Sequence, residues 1–211
     1  DGDSAAALAL ADAIEDEEAL AWALASVVAA GDTAQLDRIP WGEARDMALS
    51  SVSLSEMQAG NTNQALEAAR AIADVESRAI ALQLIAQELS GGRATMIAAE
   101  IDHPEVRASI MADAAETTAR TGRVIAAVAM ADSIALPVYQ ASGLLKVALV
   151  TGDSDMFARA MTAAETLAGE DRADAIAAIA TAQAESGNVG AARLSAEQIG
   201  DIERRGFTEW R

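Results

Sequence analysis

RDMALSSVSLSEMQAGNTNQALEAARAI, residues 45–72, contains the whole logic of the chain. It opens on Arg45 and runs fifteen residues to Gly60, with Ala48, Leu49 and Val52 one, three and four residues apart. That spacing places them on one helical face. After the glycine, Asn61 precedes a second stripe, Ala65, Ala69 and Ile72, at i, i+4 and i+7. Glycine suits the left-handed position that ends a helix, and Asn suits the cap of the next one. The stretch therefore predicts a helical hairpin: helix A, a glycine turn, helix B.

The same pattern recurs. RASIMADAAETTARTG (107–122) and RADAIAAIATAQAESG (172–187) repeat the Arg-to-glycine interval, and Ala127/Ala131/Ile134 and Ala192/Ala196/Ile199 repeat the second stripe. Turn glycines fall at Gly31, Gly60, Gly92, Gly122, Gly152 and Gly187, at intervals of 29, 32, 30, 30 and 35 residues. A fixed period of this length marks stacked helical repeats. Pro40, Pro104 and Pro137 or acidic residues stand at the B-to-A joints, where a helix start tolerates proline and favours carboxylates. The chain reads as one B helix, six A helices alternating with B helices, and a last A-like segment from Glu203. The segment after Gly31 is cut short by Pro40, and the one after Gly152 is long enough for an extra helical turn. No linker composition interrupts the array, so residues 1–211 are expected to form a single domain.

The spacing Gly60-Asn61, Ala65, Ala69, Ile72 resembles the B helix of tetratricopeptide repeats, as does Gly187-Asn188, Ala192, Ala196, Ile199. Gly122, Ala127, Ala131, Ile134 follows it without the Asn. The A helices have none of that family's Trp, Leu-Gly pair and Tyr in register, the usual large residue of helix B is here alanine, and most units are shorter. The resemblance implies an all-α, right-handed α-solenoid of about six helix-turn-helix repeats of roughly 30 residues, whose A helices line a concave groove. Its groove positions, counted back from each glycine, fall on Tyr139, Ser142, Lys146 and Leu149 before Gly152. They fall on Ser109, Ala112, Glu116 and Ala119 before Gly122, and on Met47, Ser50, Leu54 and Met57 before Gly60. In an alanine-rich chain Tyr139, Lys146 and Glu116 are expected to project into that groove and to hold a peptide or protein partner, with Ser142 and Leu149 beside them; the alternative is that they are ordinary surface residues, with Tyr139 packing at a joint.

Composition narrows the function classes. The 211 residues carry a formal charge of −18, and only 3% are aromatic. That charge argues against nucleic acid and anionic membrane surfaces; it reads first as a solvated acidic shell that favours solubility, and as the alternative is compatible with a basic partner. The longest uncharged apolar run, Ala19 to Ala30, is too short to span a bilayer, so no membrane insertion is expected. Without cysteine there is no disulfide or thiolate metal site, and no cofactor is implied. The Asp-Gly-Asp start, lacking methionine, is compatible with a processed periplasmic or secreted protein and equally with a cytoplasmic one.

No HExxH, GxxxxGK[ST], GxSxG or GxGxxG occurs. His103, the sole histidine, reads as a joint residue, and Asp153-Ser-Asp155 as a helix cap in preference to a calcium loop. Glu15-Asp16-Glu17-Glu18 reads as helix-start chemistry. The leading expectation is a non-catalytic interaction scaffold. A structural or assembly subunit is the alternative, and an enzyme built on a carboxylate pair comes third. Phe207 and Trp210, three residues apart, are expected to form a terminal contact, either a cap on the last hairpin or a homo-oligomer interface.

Overall fold

The computed structural model describes the backbone of residues 2–40, 42–89 and 91–209 and the side chains of 5–40, 42–89 and 91–199. Among the described residues the chain is all-helical, with no strand. Contacts gather it into two compact units: residues 1–88 with 101–103, and residues 89–100 with 104–211.

The first unit holds α1 (Gly2–Ala11), α2 (Glu17–Ala29), a 3-10 helix (Thr33–Arg38), α3 (Glu43–Gln58), α4 (Thr62–Ala71) and α5 (Val75–Glu88). The second holds α6 (Gly92–Ala98), α7 (Pro104–Arg120), α8 (Val124–Asp132), α9 (Pro137–Thr151), α10 (Ser154–Glu165), α11 (Gly169–Glu185) and α12 (Val189–Glu209). Long and short helices alternate from α2 to α11, as the A/B pattern predicts. Within the first unit α3 packs on α2, α4 and α5. Within the second, α9 packs on α7, α8, α10 and α11. Within each unit, long helices thus lie against neighbouring short helices and against one another.

Glycine makes the turns because the backbone there is left-handed, a conformation other residues rarely adopt. At Gly60 (φ 79°) the chain reverses so that the Asn61 N–H reaches back to the Glu56 carbonyl at 2.8 Å. Asn188 N–H donates to Gln183 in the same way after Gly187 (φ 81°). This closure satisfies carbonyls that the helix end leaves unpaired. One expected turn is displaced. The left-handed residue is Gly91 (φ 58°), and Gly92 is the first residue of α6. With two glycines adjacent, the period alone cannot tell which takes the turn.

Arginines in the first turns of α3 and α5 work at the joints. Arg45 Nη1 donates to the carbonyls of Leu36 and Ile39 at 2.7 and 2.8 Å, and Arg78 Nη1 to that of Ile72 at 2.7 Å. Ile39 and Ile72, each six residues before its arginine, are buried. α3 and α5 therefore each close the end of the short helix before them. In each case one guanidinium nitrogen, Nη1, serves two carbonyls through its two N–H groups.

Small side chains keep the layers close. Gly143 on α9 is buried, and a Cβ there would lie 3.2 Å from Ile134 and 3.3 Å from Ala131, both in the layer beneath. Between α11 and α12 the buried Ser195 hydroxyl donates to Gln183 Oε1 at 2.8 Å, so neither polar group is left unpaired. Two further expectations meet different outcomes. α10 has 12 residues against 10 in α4, giving the longer segment after Gly152. The expected break before Glu203 is absent, because α12 runs unbroken from Val189 to Glu209. No proline interrupts it, and Gly200 and Gly206 cost only about 1 kcal/mol each in a helix.

Two carboxylates hold the joint before α5. Asp46, buried on α3, accepts from the N–H groups of Ala73 and Asp74 at 2.8 and 2.9 Å. Asp74 accepts from Ser77 N–H at 2.7 Å. Asp46→Ala would leave two backbone donors unsatisfied, and denaturant unfolding should show a loss of about 1–3 kcal/mol. The hydrogen bonds from Ser77, and secondarily the Arg78 charge, hold the Asp74 carboxyl below its usual range. A depressed folded pKa gives stability that is complete above the unfolded value and disappears as pH falls through the folded one. Asp74→Ala should therefore melt below wild type at neutral pH, with the gap closing under acid conditions.

Candidate functional site

Burial gives the long helices a common register. Taking Leu20, Arg45, Arg78, Arg107, Gln140 and Arg172 as the reference residue, the fourth and eighth residues beyond it face the core. They are Leu24/Val28, Leu49/Ser53, Leu82/Ala86, Leu144/Ala148 and Ile176/Ala180, all buried. On α7 the eighth, Ala115, is buried and the fourth, Met111, is partly so. The second, sixth and ninth residues fall on another face. They are Ser109, Asp113 and Glu116 on α7 and Ser142, Lys146 and Leu149 on α9.

In the second unit this outward stripe is ionic. Lys146, the only lysine, pairs closely with Asp113 and lies 3.6 Å from Glu116 Oε2. Glu116 also accepts from Arg120 at 2.6 Å. Two carboxylates and two cations thus form one connected set between α7 and the neighbouring α9. Lys146 and Asp113 are each 33% exposed at the side chain, so water still reaches the pair.

The candidate residues divide accordingly. Lys146 and Glu116 meet. Ser142 lies half-buried on the same stripe, and Leu149 is exposed at its end. Tyr139 sits off the stripe, against Ala108, Ala112 and Ile134 at the joint between α8 and α9. Counting back from the turn glycine places Tyr139 in line with Met47 and Ser109, and helix length explains the difference. Four residues separate Ala148 from Gly152, but seven separate Ala115 from Gly122. α9 therefore ends a turn early, and Ser142 is the true counterpart of Ser109.

Asp113 escaped sequence reading because it does not fall on a position counted from the glycine. Its 33-residue distance from Lys146 equals that from Arg45 to Arg78, and this was the available signal. Phe207 lies within α12, but its side chain, like Trp210, falls outside the described residues. Asp153 caps α10 by accepting from Asp155 N–H at 2.9 Å, and Asp16 caps α2 by accepting from Ala19 N–H at 2.8 Å. Both acidic stretches are thus used as helix starts. Among the described residues no group of three or more His, Asp or Glu is placed to hold a metal ion. No described helix is long and apolar enough to cross a membrane.

No protein-family model matches the chain, and neither a curated protein nor a solved structure matches it.

A partly exposed pair in contact with water contributes little, because solvent screens it and ordering two side chains opposes it. A double-mutant cycle with Lys146→Met and Asp113→Ala should give a coupling of at most about 1 kcal/mol, shrinking as salt is raised.

Proposed function

We propose that the chain is a non-catalytic interaction scaffold: a tetratricopeptide-like α-solenoid of about six helical hairpins that holds a peptide or protein segment against the outward stripes of its long helices. The observation that carries this reading is the repeated register. It buries one set of positions on every long helix and leaves another set, chemically varied, facing outward. A surface that keeps its geometry while changing its side chains suits the recognition of an extended partner. In the second unit the proposed contact comprises Ser142, Lys146, Leu149 and Glu116, with Tyr139 at its edge.

Catalysis has less support. Asp113 and Glu116, the carboxylates grouped on this surface, are both engaged by Lys146, and function has to be argued from a site. The alternative, an assembly subunit using the opposite side, draws on Met96 of α6 and Ile125 of α8, which are strongly exposed on short helices. A homo-oligomer would satisfy the same residues.

Photo-crosslinking separates these readings. With the reactive residue at position 149, the scaffold reading expects one dominant crosslinked partner. Yield should fall about tenfold when Tyr139→Ala and Lys146→Glu are combined, as expected for central contact residues. Undiminished capture by that variant would contradict the groove assignment. A dominant crosslink from position 125 would favour assembly through the short helices.

A further inference from the structure

We propose that the outward face of α2, α3 and α5 is a docking surface for a cationic amphipathic segment of a protein partner. The proposal rests on the scaffold reading and adds the chemistry of the occupant and the place where it lies. The Lys146 contacts with Asp113 and Glu116 establish that outward positions of neighbouring long helices stand side by side. In the first unit the same positions carry Trp22 on α2, Met47 and Leu54 on α3, and Ile80 and Leu84 on α5. α2 packs on α3 and α3 on α5, so the stripe crosses three adjoining helices. These five side chains are between 37% and 51% exposed. The other positions of the stripe are Ser26, Ala29, Ser51 and Gln87. Single exposed apolar residues are ordinary, but five large ones at outward positions of three adjoining helices, in a chain with this much charge, mark a contact surface.

A row of carboxylates flanks it. Glu18, Glu43 and Glu76 each stand four residues before Trp22, Met47 and Ile80, one turn away on the same helical face, and all three are exposed. The first unit contains 17 acidic residues and 4 arginines. Three of those arginines are committed inside the unit: Arg38 to Asp12, Arg45 and Arg78 to joint carbonyls. The field over the apolar stripe is therefore negative, which repels nucleic acid and anionic lipid. It attracts a segment with apolar residues on one side and Lys or Arg along the flank. Helix axes packed about 10 Å apart spread the stripe over roughly 20 Å. A bound helix of about 14 residues covers that span at about 1.5 Å per residue.

Fluorescence anisotropy with a labelled Leu/Lys amphipathic peptide of about 14 residues tests the proposal. Wild-type protein should bind it at least about tenfold more tightly than a shuffled peptide of the same composition. The double variant Met47→Ser/Ile80→Ser alters exposed positions only, and its fold is checked by circular dichroism and thermal unfolding. It should bind about tenfold more weakly. Glu18→Gln/Glu43→Gln/Glu76→Gln should weaken binding and flatten its salt dependence. Leu194→Ser, at an exposed position of the second unit outside both surfaces, should bind as wild type. The proposal is overturned if wild type does not bind, if ordered and shuffled peptides bind alike, or if both sets of first-unit substitutions leave binding unchanged. It is also overturned if a Leu/Glu peptide binds as tightly. Crosslinking from position 149 together with unchanged peptide binding by the first-unit variants would remove this surface and leave the scaffold reading standing. Loss of peptide binding in those variants without crosslinking from position 149 would keep the docking surface and remove the second-unit groove.

Discussion

Close packing of small side chains at fixed positions of the long helices is the constraint on which the rest depends. Each long helix presents a buried stripe built from Ala, Leu, Ile and Val, and Gly143 is nearly in contact with Ile134 and Ala131. Alanine adds little buried area per residue, so stability requires that helix backbones come near one another over many layers. That nearness in turn fixes which positions remain outside. The second, sixth and ninth residues of the register are released from packing and free to vary in chemistry, and vary they do. On α7 and α9 they form an ion-paired set around Lys146. On α2, α3 and α5 five of the nine are Trp22, Met47, Leu54, Ile80 and Leu84.

The joints convert this packing into a defined geometry. A short helix of seven to ten residues, such as α6 or α4, is marginal by itself. Terminal carbonyls need donors: Arg78 supplies one after α4, and Arg45 does the same for the 3-10 helix, each from the following long helix. Asp46 does the opposite task from the preceding long helix, accepting from the N–H groups at the start of α5. Long helices therefore hold their neighbours by polar contacts at the ends as well as by apolar contacts along the face.

Much of this was legible in the sequence, because turns and periodicity are local properties. The left-handed glycines at 31, 60, 122, 152 and 187, the alternation of helices and the caps at Asp16 and Asp153 all follow from residue type and spacing. What local reading missed depends on helix length. α9 reaches its glycine a turn early, so counting back from Gly152 puts Tyr139 a turn out of line, and Asp113 lies between the positions that counting back from Gly122 selects. The choice of Gly91 over Gly92 and the unbroken course of α12 depend likewise on packing around each segment. The exposed face of α5 was hidden for a related reason: Ile80 and Leu84 belong to a helix whose apolar residues run nearly all the way round, and only burial distinguishes the covered side from the open one.

Methyl-resolved nuclear magnetic resonance with the Leu/Lys peptide tests most directly whether the outward stripe of the first unit is the contact surface. The methyl signals of Met47, Ile80 and Leu84 are predicted to shift together on titration, while those of Met96 and Ile125 on the short helices stay in place. Shifts centred on Met96 and Ile125, or scattered evenly over the molecule, would contradict the account.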